Sequence, residues 1–415
     1  MTVFLTSVLI SMIMAGMVFV HAGRSIASAG YCDAVLTLAG RSVLSEFDRR
    51  LKDEYGLFAF YGLENQIEST IRFYANSSFQ KQLPYEIFKK NDHYLNVYKL
   101  KLENVKANLA PYALADVDVF EEQIVSYMNY LMAEKGISFV KDMWGKAPKA
   151  NSSEGRLERT LKNQAEINSL PSKGNMKNGI DIAAILETGL PSFSKILDEG
   201  TKLFRVNEYI LSHFKYRTGG DKSKNSFFEY EVEYILYGKK SDEENRKAFR
   251  GDFVILRTTL NVAHIYMCPQ KLEETLALAE IMTPGPAAIA TQLVLIGLWG
   301  AAEAENDARL LESGHAVPLL KTDQSWALDL ESAVKNVFRN KPMGLNSDEG
   351  YSYADYLRLF LYLERRDTKL LRMMDLIQLN FRGSYYDDFL LKNHYVGYSM
   401  EVSVSGKKYS YEQKY

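Results

Sequence analysis

Apolar residues fill the beginning of the chain almost without interruption. Residues 1–23 contain no Asp, Glu, Lys or Arg, and residues 3–20 are nearly all apolar or small. A helix rises 1.5 Å per residue, so this segment would be roughly 34 Å long, enough to cross the hydrocarbon core of a bilayer. The pattern predicts a transmembrane anchor over residues 1–23.

A cleaved secretory signal and a buried core helix are the two alternatives for this segment. A signal peptide begins with a basic region and has a shorter apolar stretch, whereas this chain begins with Met1 and Thr2. A core helix of a soluble domain usually carries a polar stripe, and this segment has none. We therefore favour the retained anchor over the cleaved signal and discount the core helix.

Three small residues recur at every fourth position of the predicted anchor. Ser7, Ser11 and Ala15 would lie on one face of a helix, where a second helix could approach closely. They are a candidate helix-packing face. Small residues that are merely tolerated within a span are the more common explanation of such a pattern.

Helical spacing continues beyond the apolar segment. From Ile26 to Leu51, apolar residues recur every three or four positions. This predicts a membrane-proximal helix over residues 24–56, with an apolar stripe that would pack on a globular domain. Glycine readily adopts the left-handed conformation that ends many helices, so we expect the helix to end at Gly56.

The remaining pattern predicts two domains and a polar connection. Imperfect alternation over residues 94–109 predicts a strand, and helical spacing over 116–132 predicts a helix. Residues 57–145 are therefore predicted to form a first, mixed α/β domain. Residues 146–180 are rich in Lys, Asn, Ser, Glu and Gly and are predicted to be an exposed polar linker or insertion. Residues 181–415 are predicted to form a second, largely helical domain.

Residues 230–237 alternate between apolar and polar side chains. Tyr, Val and Leu occupy the even positions, and Glu231 and Glu233 lie between them. Such alternation predicts a strand with one face in water, on which both glutamates would be solvated.

Two further segments complete the predicted α+β, predominantly helical fold. Residues 283–302 carry no charged side chain, but Pro284 and Pro286 shorten the apolar run, so a buried helix is preferred to a second membrane span. Residues 395–411 alternate on both sides of Ser405–Gly406, which predicts a C-terminal β-hairpin.

Composition and charge exclude several classes of protein. The chain is 47% hydrophobic and 25% charged, which is ordinary for a globular protein. Its 50 basic and 52 acidic residues give a net charge of −2, so we expect no nucleic-acid partner. Two cysteines and six scattered histidines offer no pattern of metal ligands. We predict neither a metal site nor a cofactor.

No common catalytic signature is present in the sequence. GxxxxGK[ST], GxGxxG, GxSxG and HExxH are all absent. These motifs position phosphates, dinucleotides, a serine nucleophile and zinc, respectively. We therefore predict that the protein is not an enzyme.

One cluster of residues nevertheless has chemical potential. Trp299, Glu303 and Asp307 are spaced four apart, which puts both carboxylates on one face of a helix. Paired carboxylates can act as acid and base in a hydrolase. We favour a buried ion-pair network instead, because Arg257 and Arg358 also lie in apolar helices and a buried charge needs an opposite partner.

Several blocks of the sequence resemble one known family over nearly the whole chain. These blocks are Thr2–Leu5, Leu38–Asp48, Glu54–Phe58, Tyr230–Gly238, Val317–Thr322, Tyr353–Leu359 and Arg372–Ile377. They are similar to the TadE/TadG-like, Tad pilus-associated proteins of Firmicutes, which are bacterial membrane-anchored proteins with a large domain of unknown function.

The resemblance implies a single-pass protein of the cell membrane with most of its chain outside the cytoplasm. It also implies that the anchor continues into a long pilin-like helix, and that the partners are the lipid bilayer and other pilus or pseudopilin subunits. The function expected is that of a noncatalytic surface or assembly component of a Tad-like type IV pilus or secretion apparatus. The alternatives are a secreted or anchored adhesin-like binding module and, third, a hydrolase that uses Glu303 and Asp307.

Overall fold

The computed structural model describes most of the chain, in two units. The first unit comprises residues 1–120 and 390–415, and the second comprises residues 121–389. The residues described are 2–80, 83–84, 94–95, 98–145, 160–161, 164–173, 180, 182, 187, 189–198, 200–219, 226–336 and 350–415.

In the part of the first unit that the structure describes, three α-helices are combined with short antiparallel strands. Its helices are α1 (Thr2–Leu44), α2 (Arg49–Tyr55) and α3 (Glu64–Gln80). Its strands are β1 (Phe60–Tyr61), β2 (Leu83–Pro84), β3 (Tyr94–Leu95), β4 (Leu102–Asn108), β5 (His394–Tyr395), β6 (Gly397–Val404) and β7 (Lys407–Lys414). Strands β1 and β5 pair, β2 and β3 pair, and β4, β6 and β7 form a three-stranded sheet in that order.

Helix α1 has an exposed apolar part and a part that packs in a core. Its most apolar 18-residue window has a mean hydropathy of 2.4, and none of that window is buried. Further along, one side of the helix enters the core of the first unit through Cys32, Val35, Leu36, Ala39 and Val43. The apolar spacing seen in the sequence therefore does form a docking stripe, as predicted.

The membrane-proximal helix predicted to run to Gly56 is interrupted. Helix α1 ends at Leu44, and a new helix begins after Asp48, whose Oδ1 accepts the backbone N–H groups of Arg50 at 2.9 Å and Leu51 at 3.1 Å. Aspartate is a favoured residue at this capping position, which explains the new start. Gly56 ends α2 with φ of 66°, so the predicted terminator is correct but belongs to a separate helix.

The C-terminal hairpin is present and belongs to the first unit. Strands β6 and β7 turn at Ser405 and Gly406, as the alternation predicted. Strand β6 also pairs with β4, so that Val402 lies between Val105 and Tyr409. The hairpin was predicted to belong to a second domain over residues 181–415. That prediction was wrong, because β6 pairs with β4 and the hairpin is therefore part of the first unit. Similarly, the predicted 57–145 domain is divided at Phe120.

The second unit is built from helices. They are α4 (Val117–Gly145), whose residues up to Phe120 are grouped with the first unit, α5 (Gln164–Asn168), α6 (Phe193–Ile196), α7 (Lys202–His213), α8 (Glu231–Tyr237), α9 (Asp242–Met267), α10 (Pro269–Met282), α11 (Ala288–Glu312), α12 (Leu330–Asn336), α13 (Tyr353–Leu363) and α14 (Arg366–Ser384). The predominantly helical character expected from the sequence is thus observed.

Helices α9 and α11 pack closely against each other. At Gly300 a Cβ atom would lie 2.7 Å from Cγ2 of Val262, so only glycine permits this approach. The close contact brings the carboxyl-terminal half of α11 against the middle of α9. This packing positions the charged residues described below.

Part of the predicted polar linker is buried. Most of residues 146–180 lie outside the described residues, but Leu161, Ile167 and Leu170 are each less than 5% exposed. The backbone N–H of Ser172 donates to Asp375 on α14 at 2.9 Å. Where the structure describes it, this segment is therefore packed within the second unit, and the prediction of an exposed linker is wrong there.

Candidate functional site

Glu303 and Asp307 lie on successive turns of α11 and point into the second unit. Both side chains are essentially inaccessible, with 0% and 1% of their residue surfaces exposed. Their spacing of four residues puts them on one face, which the packing at Gly300 turns towards α9. The two carboxylates therefore lie in a place where opposite charge is required.

Asp307 forms a buried ion pair with Arg257 of α9. The Nε and Nη2 atoms of Arg257 donate to Oδ2 of Asp307 at 3.0 and 2.9 Å. The guanidinium also donates to Oδ1 of Asn261 and to the backbone carbonyl of Leu319. Arginine is suited to this role because its planar group offers several donors in fixed directions. Two of the predicted network residues are thus brought together.

Lys321 supplies the second cation, which the sequence pattern did not predict. It comes from the segment between α11 and α12, and its Nζ contacts Glu303 and lies 2.7 Å from Oδ1 of Asp307. Glu303 also accepts the backbone N–H groups of Ala327 at 2.9 Å and Leu328 at 3.0 Å. All four carboxylate oxygens of Glu303 and Asp307 therefore accept hydrogen bonds.

The electrostatics of Glu303 reflect this arrangement. Burial raises the pKa of the Glu303 carboxyl, Lys321 opposes that rise, and the negative charge of Asp307 adds to it. Two carboxylates and two cations give the cluster no net formal charge. The arrangement stabilises buried charge, and it leaves no carboxylate oxygen without a donor.

A cavity of about 220 Å³ lies beside the cluster. It is lined by Asp307 and Lys321 and by residues of the segment that follows α11, among them Pro318 and Thr322. The walls are part apolar and part polar, which would suit a small molecule. The two charged side chains that reach it are already bound to each other, so they offer no uncompensated charge to a ligand.

Arg358 is not part of this cluster. Its Nε and Nη2 donate to the two carboxylate oxygens of Glu208 on α7 at 2.7 and 3.2 Å, and its Nη1 donates to Asp355 at 2.8 Å. The grouping of Arg358 with Glu303 and Asp307 was wrong because α13 faces α7. A buried arginine still requires a carboxylate, and at Arg358 that carboxylate is Glu208.

Glu231 and Glu233 are the ionisable residues that the sequence analysis misplaced. The segment predicted as a strand is helix α8, and both glutamates are buried, with 1% and 0% of their surfaces exposed. Oε2 of Glu231 accepts the backbone N–H of Lys215 at 2.7 Å, and Oε1 accepts a side-chain N–H of Asn380 at 2.7 Å. Oε1 of Glu233 accepts the hydroxyl of Tyr353 at 2.6 Å.

Burial raises the pKa of each of these two glutamates to about 7. The hydrogen bonds to Glu231 and Glu233 oppose that rise only in part, and the negative charge of Asp242 adds to it. A carboxyl with such a pKa can gain or lose a proton near neutral pH, which is the property of an acid–base catalyst. The alternation of Glu231 and Glu233 with apolar residues did not indicate burial. Because α8 is buried on all sides, its sequence has no polar face that would reveal a helical period.

The candidate packing face of the anchor is exposed on α1. Ser7 donates its hydroxyl hydrogen to the carbonyl of Val3, and Ser11 donates to the carbonyl of Ser7, both at 2.9 Å. Each serine thus satisfies its hydroxyl within the helix. Together with Ala15 they present a shallow strip that is compatible with an apolar environment.

The uncharged helix over residues 283–302 is exposed on one side, contrary to the prediction that it is buried. Leu295, Ile296 and Trp299 of α11 face inward, each about 2% exposed. The opposite side of α11 and the end of α10 carry apolar residues that are between 40% and 78% exposed. We call this side the outer apolar face; it consists of Ile281, Met282, Ile289, Leu293, Val294 and Leu298.

Within the described residues, no group of three or more His, Cys, Asp or Glu side chains is placed to hold a metal ion. Glu303 is bound by Lys321 and two backbone amides, and Asp307 is bound by Arg257 and Lys321. The chemistry available at this site is therefore that of a neutralised ion-pair network.

Comparison with known families assigns the chain to a family whose function is unknown. Residues 137–406 match the model of a family of unknown function, DUF5702. The chain belongs to this family. The DUF5702 match includes the ion-pair cluster, α8 and the outer apolar face, and it bears out the large domain of unknown function that the sequence resemblance implied. No pilus family was matched, and no curated protein or solved structure matches the chain.

Proposed function

We propose that this DUF5702 protein is a noncatalytic, membrane-anchored component of a surface or assembly apparatus of the Tad-like pilus type, with most of its chain outside the cytoplasm. The observation that carries the proposal is α1. A wholly exposed apolar stretch, long enough to cross a bilayer, continues without a break into a stripe that packs in the core of the first unit. A helix with this construction would hold a folded unit close to the membrane surface.

The ion-pair cluster supports the noncatalytic part of the proposal. A catalytic carboxylate must be able to reach a substrate proton or carbon. Both oxygens of Glu303 and both oxygens of Asp307 already accept bonds from Arg257, Lys321 or backbone amides. Removing those bonds to free a carboxylate would leave a buried cation uncompensated.

The outer apolar face supports a role in assembly. Isolated exposed apolar residues are normal on a soluble surface, but a group of large exposed apolar residues on one helix and at the end of the preceding one is typical of a contact surface. Leu293, Val294 and Leu298 lie on one side of α11 within two turns, and Ile281 and Met282 are also exposed at the end of α10. A neighbouring subunit of the apparatus is the occupant that fits the proposal.

The proposal is tested by removing the apolar part of α1. Cells would express the full chain, a variant without residues 2–23, and a variant in which those residues are replaced by an unrelated membrane span of equal length. We expect the first variant to leave the membrane fraction while the second stays there. If the chain without residues 2–23 remains membrane-bound and apparatus assembly proceeds as in the wild type, the proposal is wrong.

A matched pair of substitutions tests the assembly role separately. Val294→Asp places a charge on the outer apolar face, and Glu274→Lys changes a charge on an exposed site of α10 outside it. We expect Val294→Asp to reduce crosslinking of the protein to neighbouring subunits in intact cells and Glu274→Lys to leave it unchanged. Equal crosslinking in both variants would remove the outer apolar face from the proposal.

A further inference from the structure

A lysine and an asparagine face each other in the interior of the second unit. Lys369 on α14 and Asn207 on α7 are 1% and 2% exposed, and Nζ of Lys369 lies 2.8 Å from Oδ1 of Asn207. Because a carbonyl bond is about 1.2 Å long, Nζ is within about 4 Å of the amide carbon. An amine nitrogen and an amide carbon are thus held close together out of reach of water.

The amine has no carboxylate partner among the described residues. The second acceptor of its hydrogen bonds is the backbone carbonyl of Leu361, at 2.6 Å. Burial lowers the pKa of Lys369 to about 7, and the charges of Glu364 and Glu121 oppose this only in part. A large fraction of the amine is therefore neutral near pH 7, and a neutral amine is the nucleophilic form.

The amide is also incompletely bonded. Within the part of the chain that the structure describes, Nδ2 of Asn207 is buried and donates no hydrogen bond. A buried N–H group without an acceptor is unfavourable, because it has lost its hydrogen bonds to water and gained none in the protein. The pair therefore joins a poorly compensated amine to a poorly compensated amide, an arrangement that contributes little to stability as it stands.

We infer that Lys369 and Asn207 react to form an intramolecular isopeptide bond between α14 and α7. Nζ of the neutral lysine attacks Cγ of Asn207, and the Nζ–Cγ bond forms as the Cγ–Nδ2 bond breaks. A proton from Nζ passes to the departing nitrogen, which leaves as ammonia. Atoms and charge balance without an oxidant, a reductant or any other reactant.

The product relieves both unfavourable groups. The amine becomes a neutral amide nitrogen with one hydrogen, which can still donate to the carbonyl of Leu361. The unbonded Nδ2 leaves with the ammonia. The new bond also links positions that are 162 residues apart, so it would restrict the unfolded chain as a disulfide across a long loop does. Such a crosslink suits a protein that must stay folded outside the cell.

Mass spectrometry of the full chain, extracted from membranes and incubated until its mass is constant, tests this inference. We expect an intact mass lower than that of the sequence by one ammonia. Trypsin should then release a branched peptide in which residues 206–215 are joined to residues 367–372, since an acylated Lys369 is not cleaved. A folded wild-type protein with its full mass and only the linear peptides 206–215, 367–369 and 370–372 would overturn the inference.

Two variants localise the bond. Lys369→Met removes the nucleophile and should keep the full mass of its own sequence. Asn207→Asp should lose water instead of ammonia and give the same branched peptide as the wild type. Loss of ammonia that persists in Lys369→Met would show that a different group releases it and would contradict the inference. If Lys369→Met does not fold, the peptide maps of the wild type and Asn207→Asp still decide the question.

Discussion

Glu303 and Asp307 on α11 are held by Arg257 and Lys321, whereas Glu231 and Glu233 on α8 accept hydrogen bonds from backbone amides, an asparagine and a tyrosine. Both pairs are buried in the second unit. An opposite charge at hydrogen-bonding distance favours the ionised carboxylate directly, whereas neutral donors offset only part of the cost of removing the carboxylate from water. The contribution of Glu303 and Asp307 to stability therefore depends on their charged partners. The contribution of Glu231 and Glu233 depends on the pH.

The largest effect is expected from breaking the charged cluster at one point. Asp307→Ala would leave Arg257 buried without its carboxylate and Lys321 with Glu303 alone. Removing one partner of a buried ion pair typically costs about 3–5 kcal/mol. We expect the free energy of unfolding, measured in urea, to fall by that amount. If the free energy of unfolding falls by less than about 1 kcal/mol, Asp307 is not needed to neutralise Arg257 and Lys321.

The dependence on pH should distinguish the second pair. The pKa of Glu231 and of Glu233 is about 7 in the folded protein against an ordinary value of 4.5. Between these values the folded state binds more protons, so the free energy of unfolding falls as the pH rises from about 4.5 to 7 and then stays level. Each pKa unit corresponds to about 1.4 kcal/mol, so the two residues together account for a fall of a few kcal/mol in the free energy of unfolding.

The matched control for this pH profile is the double variant Glu231→Gln/Glu233→Gln. It should flatten most of the fall in the midpoint temperature of unfolding between pH 4.5 and 7. A residual slope of the same sign is expected from Asp375, because burial raises its pKa to about 6. A double variant with the wild-type profile would assign the pH dependence to other groups.

A smaller effect is expected when Arg257 and Asp307 are replaced together by apolar residues. Arg257→Met/Asp307→Leu removes both charges, so no new unpaired charge is created by the exchange. Replacement of a buried pair by apolar residues of similar volume is often nearly neutral. We expect a smaller loss in free energy of unfolding than for Asp307→Ala, measured under the same conditions. An equal or greater loss would show that Arg257 acts chiefly through its bond to the carbonyl of Leu319.

The smallest effect is expected at a more exposed ion pair of the same unit. Arg366 donates to Glu121 at 3.0 and 2.8 Å, but its side chain is 44% exposed. Pairs of this kind contribute about 1 kcal/mol or less. Glu121→Ala should therefore change the free energy of unfolding by no more than that, and the change should shrink further in high salt. A loss as large as that of Asp307→Ala would remove the contrast between buried and exposed pairs.

Sequence reasoning succeeded where a local rule was sufficient. Gly56 was predicted as a helix terminator and has the left-handed φ that this role requires. The hairpin turn at Ser405–Gly406 followed from alternation on both sides of it. Each of these features depends on a few neighbouring residues, so distant parts of the chain do not alter it.

Sequence reasoning failed where burial was decided by distant elements. The alternation around Glu231 predicted a strand because polar residues were assumed to face water, whereas α8 is enclosed on all sides. Lys321 was missed because it lies in an irregular segment 18 residues from Glu303, with no periodicity to connect them. The exposed side of Leu293 was missed because an uncharged run does not distinguish a core from a contact surface.

External protease treatment of intact cells, followed by fractionation, tests the central claim of an anchored, extracytoplasmic protein most directly. Cells would express the chain with a tag after Tyr415. We predict that the protein sediments with membranes, that protease removes the tag from outside, and that a fragment containing residues 2–23 stays protected in the membrane. A shortened protein free in the medium, or a tag that protease reaches only after lysis, would contradict the account.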